Sequence, residues 1–67
     1  MATSTTIGEN IQKRRMKLGL SQEDFAQKSG VKYTTLTKIE SGVIKKPSVL
    51  IMAKIAKALG VSIEDLL

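Results

Sequence analysis

Six side chains within residues 32–41 carry the most legible chemistry in this sequence: Lys32, Tyr33, Thr34, Thr37, Lys38 and Ser41. They bring ammonium and hydroxyl groups, mostly on short stems. At helical spacing they share one face, because Val31, Leu36 and Ile39 take the other. A polar, basic, short-side-chain helix face held out from a small core suits the base edges of the major groove of DNA.

Such a face needs a scaffold, and the punctuation of the chain divides it into helices. The segment QEDFAQKSGVKYTTLTKIE reads as two short helices with a tight bend between them. Ala26 is small where the first of these must let the second approach. Gly30 lies where the chain leaves the helix with positive φ. The following helix begins about Lys32 or Tyr33 and ends before Gly42, and Lys32 is a poor N-cap for it. Upstream, Thr6 with Glu9 forms a capping box, so a first helix starts near Ile7. Ile7, Ile11 and Leu18 are expected on its inner face, and Gly19 closes it. Ser21 with Asp24 opens the second helix. Pro47 restricts Lys46 to extended geometry, and Ser48 caps a fourth helix with Val49, Met52, Ile55, Ala56 and Leu59 on its inner face. Gly60 ends it, and Ser62 with Asp65 opens a short fifth helix. No strand is needed anywhere. The fold class is therefore all-α: one five-helix domain over residues 1–67, with residues 1–6 as an N-terminal arm.

At 67 residues the chain holds one domain with a thin core. It has no cysteine and no histidine, which removes disulfides, Cys/His zinc sites and thiol or imidazole catalysis. All the acids but Glu40 sit at helix starts and no phosphate-cradling glycine loop is present, so the chain is not read as an enzyme. No cofactor, metal or small-molecule substrate is implied. The longest apolar run, residues 49–53, is far short of the roughly 20 residues that cross a bilayer, so a membrane partner is not expected. The first residues are not a signal peptide, and a cytoplasmic setting fits. The formal charge is +5. Glu9, Glu23, Asp24, Glu64 and Asp65 are absorbed by helix dipoles and caps. Lys13, Arg14, Arg15, Lys17, Lys32, Lys38, Lys45 and Lys46 are then largely unopposed. That surface is either a solubilising shell or the complement of a polyanion.

The joint pattern of Ser21-Gln22-Glu23, Ala26, Gly30, Ile39-Glu40, Gly42, Pro47-Ser48 and Ala56-x-x-Leu59-Gly60-Val61-Ser62 resembles the lambda-repressor-like, Cro/XRE-type helix-turn-helix domains. The resemblance runs from Ile7 to Leu67. It implies a five-helix domain that binds operator DNA, usually as a two-fold dimer, with the third helix in the major groove. By the same resemblance, Lys32, Tyr33, Thr34, Thr37 and Lys38 are the base-contacting positions. Lys38 would donate to guanine O6 or N7, and Thr34 and Thr37 would meet a base edge or a thymine methyl. Gln22 would donate to a phosphate and accept from a neighbour. Ser41, Lys45 and Lys46 would add contacts to the DNA backbone. Arg15 and Glu40 are expected to form a partly buried ion pair. It neutralises the one acid not explained by a helix start and leaves Arg15 a donor for a phosphate.

The chain departs from that family in places. Arg14 stands where apolar residues are common, so that face of the first helix is either exposed or covered by the arginine stem. Val43, Ile44, Leu50 and Ile51 are unusually apolar. Ile44, Leu50, Ile63, Leu66 and Leu67 are candidates for a homodimer contact. The leading expectation is a sequence-specific, double-stranded-DNA-binding regulator of transcription, a repressor on an inverted-repeat operator. The alternative is a protein-interaction module or antitoxin on the same fold, with little or no DNA binding. The chain is read either as a complete small regulator or as a domain of a longer repressor.

Overall fold

The structure is a computed structural model and describes residues 6–67. Five helices follow one another, and the described residues contain no strand: α1 (Ile7–Lys17), α2 (Gln22–Ser29), α3 (Tyr33–Ser41), α4 (Val49–Leu59) and α5 (Ile63–Leu66). Residues 1–5 of the expected N-terminal arm lie outside the described residues. Thr6 is the N-cap of α1 and closes a full capping box with Glu9. Ser21, Ser48 and Ser62 each accept a backbone N–H at the start of α2, α4 and α5, and Asp65 returns the bond in α5. Each such cap satisfies a donor that a helix start leaves unpaired. The helix α3 alone begins without a side-chain cap, at Lys32.

The core gathers one or more residues from every helix. Ile11, Phe25, Leu36, Ile39, Ile55 and Leu66 are wholly buried, and Ala26, Val31, Met52 and Ala56 nearly so. Phe25 is the bulkiest of them, and the pattern reading does not single it out.

Three expectations about the apolar faces are corrected. Leu18 is 48% exposed rather than inward. The buried stripe of α1 is Gly8, Ile11 and Arg15, so Ile7 and Leu18 lie to one side of it. Val49 is 77% exposed. It is the first residue of α4, and its side chain leans back toward the N-terminus, off the end of the core. Leu66, a candidate dimer contact, is 0% exposed because α5 folds it into its own domain. Ile44 and Ile63 are half-buried against that same core, which leaves Leu50 and Leu67 as the exposed members of the proposed contact.

The helix α1 lies very close to α3. A Cβ on Gly8 would fall inside contact distance of the Ile39 carbonyl oxygen and 3.1 Å from the Glu40 Cα. On another face α1 holds α5. Asn10 Nδ2 donates to the Asp65 carbonyl at 2.9 Å, and Arg14 Nη2 reaches the same oxygen at 3.5 Å. Arg14 Nε also donates to Asn10 Oδ1 at 2.8 Å. Arg14 is therefore half-buried and works as a tie between α1 and α5.

Candidate nucleic-acid interface

The bend between α2 and α3 sets the direction of the whole interface. Gly30 adopts φ 77°, ψ 13°, a left-handed conformation open to glycine at little cost. Ser29 Oγ then accepts the Val31 N–H at 3.3 Å and donates to the Ala26 carbonyl at 3.4 Å. Val31 turns into the core, and α3 starts two residues later. Leu36 and Ile39 seat α3 on the core.

That seating turns the opposite face outward. Lys32, Tyr33, Thr34, Lys38 and Ser41 are exposed, and Thr37 is half-buried at the edge of the face. Among these, two hydroxyls are already engaged within the helix. Thr37 Oγ1 donates to the Thr34 carbonyl at 2.9 Å, and Ser41 Oγ donates to the Lys38 carbonyl at 3.2 Å. A hydroxyl carries one hydrogen, so Ser41 offers an anion only lone pairs in this arrangement. A contact from Ser41 to a phosphate would exchange this bond for one to the anion. The Lys45 and Lys46 side chains are exposed in the turn between α3 and α4.

Beneath the face lies a buried polar cluster. Arg15 Nε and Nη2 donate to the two oxygens of Glu40 at 2.8 and 3.0 Å, a two-pronged pair. Arg15 and Glu40 are 7% and 9% exposed. Arg15 Nη1 donates to the Leu20 carbonyl at 2.7 Å, closing the turn that follows α1. Gln22 Nε2 adds a third donor to Glu40, at 3.0 Å from Oε1. No buried side-chain nitrogen or oxygen among the described residues lacks a partner.

Two expected roles change here. Arg15 is turned inward, 7% exposed, and besides the pair with Glu40 it donates to the Leu20 carbonyl. Gln22 donates to its neighbour rather than accepting from it, since a carboxylate can only accept. Its second N–H and its Oε1 have no partner among the described residues. The sequence reading missed Gly8, Asn10 and the Leu20 carbonyl. The signal for the first was available, because Gly8, Ile11 and Arg15 stand at i, i+3 and i+7. Among the described residues, no group of three or more acidic side chains is placed to hold a metal.

The arrangement can neutralise its own acid, hold α3 rigidly and offer a cationic, hydroxyl-bearing face to a groove. Known proteins share its plan. The Helix-turn-helix family model matches residues 11–66. The HTH-type transcriptional regulator SinR of Bacillus subtilis is 34% identical over 61 residues, which cover 91% of this chain and 55% of SinR. The chain thus spans about half the length of that relative. An uncharacterized HTH-type transcriptional regulator of Methanocaldococcus jannaschii, MJ0272, is 49% identical over 47 residues, 70% of each chain. In three dimensions, SinR crystallised in complex with DNA superposes with a TM-score of 0.88 at 33% identity, over 91% of this chain and 97% of that one. The restriction-modification controller protein C.AhdI from Aeromonas hydrophila gives 0.86 at 28% identity, over 94% of each. With its three capping serines, left-handed Gly30 and outward third helix, this chain belongs to the helix-turn-helix family.

Proposed function

We propose that the chain binds double-stranded DNA in a sequence-specific manner and regulates transcription, acting as a repressor by occupancy. The observation that carries this is the outward face of α3, which is basic and polar and clear of the core. Its one acid, Glu40, is turned under and paired with Arg15. The likeness to a regulator crystallised with DNA supports it. The work is binding, with no covalent step, and takes place where the chromosome is, in the cytoplasm.

In this reading α3 lies in the major groove, with Lys32, Tyr33, Thr34, Thr37 and Lys38 toward the bases. Gln22, Lys45 and Lys46 hold the backbone on either side. Two copies read the halves of an inverted repeat about 34 Å apart. Leu50 and Leu67 remain as the exposed apolar candidates for contact between the copies.

Selection from a random duplex pool tests DNA binding and dimer symmetry together, since a two-fold assembly enriches an inverted repeat. On the selected site, Lys38→Ala is expected to cost about 1–3 kcal/mol, read by titration, and to relax the preference at one base pair. Lys45→Ala with Lys46→Ala is expected to weaken all sequences alike and to flatten the salt dependence by about two units of log-log slope. Affinity that ignores ionic strength would sink the reading.

Exposed apolar residues favour a second reading. Val43, Val49 and Leu50 are 72%, 77% and 67% exposed close together in the chain. A protein-interaction module or antitoxin would use such a surface and leave α3 idle. Retention of no duplex from the pool, by a folded protein, would select that reading.

A further inference from the structure

We propose that Thr37 and Thr34, three residues apart on one helix and identical in chemistry, read DNA by different atoms: Thr37 by its methyl, Thr34 by its hydroxyl. The inference rests on α3 occupying the major groove, and it adds which group of each side chain does the reading.

The difference lies in what each hydroxyl is already doing. Thr37 is half-buried, and its Oγ1 donates to the Thr34 carbonyl at 2.9 Å, a good distance for this bond. A threonine hydroxyl has one hydrogen to give. Donation to a base would break the intrahelical bond in exchange for an equivalent one, so little is gained. What Thr37 brings at no such cost is its methyl, which suits the C5 methyl of thymine, and a hydroxyl lone pair, whose use by a base amine would appear as a loss in Thr37→Val. Thr34 is exposed, and its hydroxyl makes no hydrogen bond among the described residues. It is free to donate or accept at a base edge, and a site built around a hydrogen bond penalises its loss.

Valine separates the two roles, because it keeps the branched shape and replaces the hydroxyl with a methyl. Serine does the reverse, keeping the hydroxyl and removing the methyl. Both substitutions sit on the outer face of α3 and leave Leu36, Ile39 and Glu40 in place.

The experiment starts from the duplex selected by the wild-type chain. Wild type, Thr37→Val, Thr37→Ser and Thr34→Val are titrated against it, and then against duplexes with single thymines replaced by deoxyuridine. Melting curves first establish that each variant is folded. Thr37→Val should bind within about twofold of wild type, whereas Thr34→Val should lose roughly three- to tenfold, the worth of one hydrogen bond. Thr37→Ser should lose about fourfold, the worth of one buried methyl. One uracil replacement should weaken wild type and Thr37→Val by a similar factor and leave Thr37→Ser unmoved.

A loss in Thr37→Val as large as that in Thr34→Val overturns the proposal. So does the absence of any thymine whose methyl matters to wild type but not to Thr37→Ser. Both results leave the DNA-binding reading standing, because the selected duplex is still bound. Failure of the folded wild type to select or bind any duplex ends both together.

Discussion

Arg15→Ala is expected to leave much of the protein unfolded at room temperature. The substitution removes both prongs of the pair with Glu40 and the donor to the Leu20 carbonyl. Glu40, 9% exposed, would be left with a single amide hydrogen bond from Gln22. Taking one partner from a buried ion pair costs about 3–5 kcal/mol, because the survivor is a charge out of water with nothing opposite it. A chain this short has a total stability on the order of a few kcal/mol, so the loss consumes most of it. The cost comes from stranding Glu40, not from any large net value of the pair. Arg15→Met with Glu40→Leu should therefore restore folding, and replacements of that kind are often neutral or stabilising by about 1–4 kcal/mol. Thermal melts of the three proteins check this. A wild-type melting curve for Arg15→Ala would refute it.

The second large effect is expected at Gly8. In an ordinary helix, glycine to alanine stabilises by roughly 0.5–1 kcal/mol. Here the sign reverses. The new methyl would run into the Ile39 carbonyl oxygen, with the Glu40 backbone 3.1 Å away. Backbone cannot swing aside as a flexible side chain can, so α1 and α3 must part. Overpacking of this kind costs roughly 1–3 kcal/mol, occasionally more. The same seam carries Ile11 and Arg15 on α1, so separation there also stretches the bonds to Glu40. Gly8→Ala should lower the denaturant midpoint with little change in the slope of the transition. An unchanged or raised midpoint would show that the helices have room to spare.

These two positions also explain what the sequence could and could not disclose. The helix boundaries were legible because all but the uncapped start of α3 are written locally. Thr6, Ser21, Ser48 and Ser62 cap the starts, and Gly30, Gly42 and Gly60 take left-handed φ at the ends. The outward face of α3 was legible too, since Val31, Leu36 and Ile39 mark its inner side. The inner face of α1 was not, for a physical reason. Two of its three buried positions are a glycine and an arginine, neither of which a hydrophobic pattern counts as inward. Glu40 was suspected because no helix start accounted for it. The turning of Arg15 and the direction of the Gln22 amide depend on atoms far apart in sequence, and no local rule carries them. Leu66 was misplaced for the opposite reason: a four-residue helix has too few positions to define a face.

The tie between α1 and α5 bears on how the molecule is made. Asn10 and Arg14 meet the Asp65 carbonyl across 55 and 51 positions of sequence, and Leu66 supplies a wholly buried wall of the interior. A ribosome that has released only the first four helices has therefore released a protein with an open side. The emerging polypeptide must wait for α5 before this side can close, so premature termination at Gly60 would yield a substrate for proteases, not a shortened but serviceable product.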